Sequence, residues 1–148
     1  MKPYKTLFKD ARLNKRARTT LRTHQNREMN DETYRLRRIV MDYIYRAKRL
    51  LNGNMPRVDV RIVDLEPEAA DKKSALGLAY TGQRSLFIPA RSIEEGYDLH
   101  YIVFHEILHA AFGIKHNERS PLMQTYYRND LSPEEIDRLF LKHVREGK

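Results

Sequence analysis

His105-Glu106-Ile107-Leu108-His109, set in the run Leu99 to Phe112 and followed by Gly113 and His116, decides the reading of this 148-residue chain. Two histidines four residues apart project from one face of a helix, because 3.6 residues per turn bring i and i+4 nearly into line. Their ring nitrogens can then share one metal ion. Glu106 points to another side of the helix and is free to act on a water rather than bind the metal. Gly113 suits the left-handed conformation that ends a helix and reverses the chain. That reversal can return His116 as a third ligand. Three protein ligands and an open fourth position characterise a catalytic zinc, whereas a structural zinc is closed by four.

The surroundings support a site. Leu99, Ile102, Val103, Phe104, Ile107, Leu108, Ala110, Ala111 and Phe112 make this the most apolar stretch of the chain. A buried segment carrying two histidines and a glutamate must pair or ligate them, since an unpaired polar group in a core costs several kcal/mol.

Working outward, the length fits one domain with a substantial core. There is no cysteine, which excludes disulfides and thiolate ligands and favours a reducing compartment. The first residues contain no apolar run of signal-peptide length, and no segment is apolar enough to span a bilayer. A cytoplasmic, monomeric protein without membrane contact is expected. Charge is uneven. Residues 1–30 hold nine Lys or Arg against Asp10 and Glu28, a net of +7 within a total of +8. This reads as a basic N-terminal arm that can bind nucleic acid or another polyanion, or serve only as a solvated segment. Residues 31–148 read as the globular domain.

Within that domain, Leu36, Ile39, Val40, Tyr43, Ile44, Ala47, Leu50 and Leu51 keep a helical stripe over 31–51, with Asn30 or Asp31 as cap. Val58, Val60 and Ile62 alternate with polar residues as in a half-buried strand. Residues 65–74 read as a loop. The runs 76–81 and 85–89 around Gly82-Gln83-Arg84 read as a hairpin, with Pro89 at a strand end or edge. Ser92 to Tyr97 leads into the motif helix, capped by Asp98. Ser132-Pro133-Glu134-Glu135 is a capping box opening a last helix, with Ile136, Leu139, Phe140 and Val144 facing inward. The expected class is α+β: a small mixed sheet of three to five strands packed on two long helices, with a C-terminal helix.

From about Gly77 to Leu139 the chain resembles the metzincin clan of zinc metallopeptidases in its small, matrixin-like form. That signature is H-E-x-x-H-x-x-G-x-x-H followed by a methionine-containing turn. His105, Glu106, His109, Gly113, His116 and Met123 match it in order, and 131–136 is similar to the start of the family's C-terminal helix. The spacing departs by one residue, since Ala110-Ala111-Phe112 stands where the family has two residues. The resemblance implies a zincin-like fold and a zinc-dependent endopeptidase acting on protein or peptide. His105, His109 and His116 would hold Zn2+, Glu106 would be the general base, and Met123 would floor the site. Tyr126 or Tyr127 would serve the oxyanion or substrate. A strand within Ser85 to Ile88 is expected to pair with extended substrate.

Two other readings compete. The chain is similar in size and motif histidines to the rRNA-maturation family of metal-dependent, single-strand RNA endonucleases, which normally carries glycine at the place of Glu106. A non-catalytic module stapled by zinc is the third reading, and it leaves Glu106 without a task.

Overall fold

A computed structural model describes residues 30–63, 76–80 and 83–147. The basic arm therefore lies outside the described residues except for Asn30, as does the expected loop 65–74. Asn30 belongs to the domain: its side chain accepts the Thr33 N–H at 2.8 Å and caps α1, Asp31–Leu50. Asp31 and Glu32 in the first turn and Lys48 and Arg49 in the last suit the helix dipole. The buried stripe of α1 is Thr33, Leu36, Val40, Ile44 and Ala47.

The sheet has three strands in the order β1-β3-β2. In β1, Asp59–Val63, exposed Asp59 and Arg61 alternate with buried Val60 and Ile62. The hairpin forms as expected from β2, Leu78–Tyr80, and β3, Ser85–Pro89, antiparallel with Leu78 opposite Phe87. β1 runs parallel to β3 with Asp59 opposite Ser85, so the small sheet is mixed. Pro89 ends its strand, yet that strand is central rather than an edge. This overturns the substrate-pairing role expected of Ser85 to Ile88. Both flanks of β3 already bond neighbours, and all five of its residues are buried.

A short helix, α2, spans Ala90–Glu94 and overlaps the start of the expected lead-in Ser92 to Tyr97. The motif helix α3, Leu99–Phe112, is capped by the Asp98 side chain and is buried at every position from Leu99 to Ala110. Such a helix can lie only in the middle of a fold. The sheet and α1 pack on it, and so does α4, Pro133–Glu146. The capping box at Ser132 and Glu135 is present, with Pro133 in the first turn. On α4 the buried positions are Ile136, Leu139, Phe140 and His143, while Val144 is half-buried beside them. Arg37 Nε donates to Val60 O (3.1 Å) and ties α1 to β1. Asp137 on α4 accepts from Arg46 on α1 and from His100 on α3, joining three helices. The described residues thus form an α+β fold of four helices and one three-stranded mixed sheet. None of these helices is long and apolar enough to cross a membrane.

Candidate metal centre

The centre is built from α3 and the two turns that follow it. His105 and His109 lie one turn apart, with their Nε2 atoms 3.1 Å from each other. His116 Nε2 is 3.2 Å from His105 Nε2. Each of the three offers a nitrogen, and these nitrogens all lie within 4.8 Å of one another. His105 and His109 are buried, and His116, half-buried, forms the outer side.

The helix end is closed by Gly113. Gly113 adopts φ +66°, and its N–H still closes on His109 O (3.1 Å). The next amide, Ile114 N–H, reaches back six residues to Leu108 O (2.9 Å). The corresponding bond of a Schellman cap spans five. Beyond this wider cap the chain returns and brings His116 beside His105.

The tautomers follow from the outer bonds. His105 Nδ1 faces Leu122 O at 2.7 Å, and His109 Nδ1 faces Ile114 O at 2.6 Å. A carbonyl oxygen only accepts, so both Nδ1 atoms carry the hydrogen and donate it. Burial, reinforced by the neighbouring His109, holds the His105 imidazole well below its usual pKa. Neutral rings with hydrogen on Nδ1 present lone pairs on Nε2, and here two such lone pairs face each other at 3.1 Å. That arrangement is repulsive by itself and favourable around a shared cation. Backbone carbonyls holding Nδ1–H are also the usual outer support of metal-bound histidine. The buried group His105, His109 and His116 can hold a metal ion.

Glu106 is fully buried on α3. Gly77, just before β2, lies directly against it. A Cβ at position 77 would stand 3.0 Å from Glu106 Cγ and Oε2, and 3.0 Å from Ile102 Cγ2. A larger residue there would press on the glutamate side chain, which would have to give by a few tenths of an ångström. A glycine inside a strand pattern is the sequence signal for such a close approach.

The turn after His116 reaches the triad through Leu122 O on His105. Met123 is fully buried. Its carbonyl accepts Asn117 N–H (2.8 Å), and Glu118 accepts from both the backbone and the hydroxyl of Thr125, closing the loop across its mouth. Tyr101 on α3 stacks its ring on His105 and donates its hydroxyl to Pro121 O (2.9 Å). Burial pushes the pKa of that hydroxyl up, so it stays a donor. Ser120 accepts the N–H groups of Leu122 and Met123 and is bonded to His143. Gly77, Tyr101 and His143 stand outside the sequence motif, whereas Ser120 opens the stretch 120–123 that resembles a methionine turn. His143 had a readable signal, a polar residue on the Ile136, Leu139, Phe140 stripe of α4.

The two tyrosines differ in exposure. Tyr127 is buried, and its hydroxyl accepts Asp98 N–H (2.7 Å) at the start of α3, seven residues and roughly 10 Å of helix rise before His105. Tyr126 is 47% exposed, and both tyrosines line, with Gln124, Arg128, Asn129 and Asp130, an open concavity of about 440 Å3 after the Met123 turn. His100, the nearest other histidine on α3, is engaged with Asp137 and packed on Tyr43 and Phe104. Comparison with family models, with curated proteins and with solved structures returns no match.

Proposed function

We propose that this protein is a zinc-dependent endopeptidase with a zincin-like, metzincin-related fold. The observation that carries the reading is the convergence of three histidine Nε2 atoms beside a buried glutamate on the same helix. The donor set is three imidazoles with no thiolate, which suits zinc, and three ligands leave a position for water and substrate. When bound, zinc lowers the pKa of water to about 7 and polarises a carbonyl oxygen.

The chain's own residues supply the remaining steps. His105 and His109 are held in the metal-binding tautomer by Leu122 O and Ile114 O. The Glu106 carboxylate takes the proton of the attacking water and returns it to the leaving amine. Gly77 lies close against that carboxylate on one side. Tyr126 and the concavity after Met123 offer the peptide an exposed surface next to the turn. A glutamate buried in the most apolar helix is costly for a structural part, and this favours the peptidase over a zinc-stapled module.

Metal analysis of protein purified without chelator tests the reading. One zinc per chain is expected, with cleavage of an unfolded casein-like substrate that stops on chelation and returns on adding zinc. Metal-free protein that cleaves as well, or protein that takes up no zinc, contradicts it.

A further inference from the structure

We infer that Ser120 and His143 are positioning residues for the metal ligand His105, linking helix α4 to the metal centre through the backbone of Leu122. The inference rests on the metal-site reading above and goes beyond it to two residues outside the ligand set. A serine hydroxyl has one hydrogen to donate and two lone pairs to accept with. Ser120 Oγ lies 3.3 Å from Leu122 N and 3.1 Å from Met123 N, and both amides donate to it. Its own hydrogen then points to His143 Nε2, 2.7 Å away. His143 is 8% exposed on the buried face of α4, among Ile136, Leu139 and Phe140. The order of support is His143, Ser120, Leu122, His105. Leu122 is held through its N–H by Ser120 and holds His105 Nδ1–H through its carbonyl (2.7 Å). A shift of this turn rotates the carbonyl that fixes the tautomer and ring plane of His105. Outer partners of metal-bound histidines are worth 10–100-fold in metal affinity.

The experiment titrates Co2+ into the full-length metal-free chain and follows its visible d–d absorption. The variants are Ser120→Ala, His143→Leu, His143→Gln and the double variant Ser120→Ala/His143→Leu, each checked for folding by thermal unfolding. Ser120→Ala and His143→Leu are expected to weaken Co2+ binding about tenfold, the low end of the outer-partner range, and to alter the spectrum. His143→Gln keeps an acceptor at the place of Nε2 and is expected to return both affinity and spectrum to wild type. The double variant is expected to lose no more than Ser120→Ala alone, because the two act in series. Wild-type affinity and spectrum in Ser120→Ala, no rescue by His143→Gln, or losses that multiply in the double variant would overturn the inference. Should His143→Leu fail to fold, Ser120→Ala against His143→Gln decides it. A wild-type chain that takes up no Co2+ instead overturns the metal centre itself.

Discussion

The Nε2 atoms of His105 and His116 stand 3.2 Å apart although |i−j| is 11. The meeting depends on the extended cap at Gly113. His116→Ala is therefore expected to weaken zinc binding by at least ~100-fold, the upper range for a mere outer partner, and His105→Ala or His109→Ala to abolish it. Competition against a chromophoric chelator measures this. Wild-type affinity in His116→Ala would remove His116 from the ligand set.

Two glycines should fail in opposite ways. At Gly113 a Cβ meets nothing within 4 Å, but φ is +66°. Gly113→Ala is expected to cost about 1–2 kcal/mol of stability and to retain zinc when saturated. At Gly77 a Cβ would stand 3.0 Å from Glu106 Cγ and Oε2 and press on that side chain. Gly77→Ala is expected to lower peptide turnover while zinc content stays whole. Full turnover in Gly77→Ala would show that the glutamate is not held from that side.

His100 makes stability depend on pH. Its burial lowers the imidazole pKa and outweighs the raising effect of Asp137. The fold keeps this ring neutral where the unfolded chain, with pKa near 6.5, takes a proton. Stability is therefore full above about pH 6.5 and falls below it, by up to about 1.4 kcal/mol per pH unit, until the folded pKa is reached. For Asp137, burial opposes the charge, but the bonds from Arg46 and His100 prevail and hold its carboxyl below the usual range. Its contribution is lost only below about pH 4. Urea unfolding at pH 7.5 and 5.5 should show a smaller loss for His100→Gln than for wild type. Equal losses would contradict the assignment.

The +7 charge of residues 1–30 motivates a prediction about partners. Because Asn30 caps α1, the clean truncation removes residues 1–29. The shortened chain is expected to keep zinc binding and to lose salt-dependent affinity for a labelled single-stranded oligonucleotide. Equal binding by both forms at low salt would end the polyanion role.

Much of this architecture was legible because single residues announce it. The α1 stripe, the Asp98 and Ser132 caps, the β2–β3 hairpin and Gly113 are local signals, set by periodicity, capping chemistry or the left-handed φ. The histidine spacing named a metal group that the fold brings together. What escaped was non-local. Ser85 to Ile88 looks like any short apolar strand, and only the parallel pairing with β1 makes it central. Residues 90–94 carry no side-chain cap bond to mark the start of a five-residue helix. No local pattern shows the Tyr127 hydroxyl accepting from Asp98 N–H, 29 residues earlier in the chain. Ser120 and His143 are 23 residues apart and meet only once α4 docks.

Glu106→Gln tests the central claim most directly. The substitution keeps size and hydrogen bonding but cannot take a proton, and general-base roles are worth about 10²–10⁴ in rate. Cleavage of an unfolded casein-like substrate, measured beside zinc content and beside a short labelled RNA, is expected to fall at least ~100-fold with zinc unchanged and the RNA intact throughout. Peptide cleavage that survives Glu106→Gln at the wild-type rate would contradict the mechanism, and RNA cleavage without proteolysis would assign the centre to a nuclease instead.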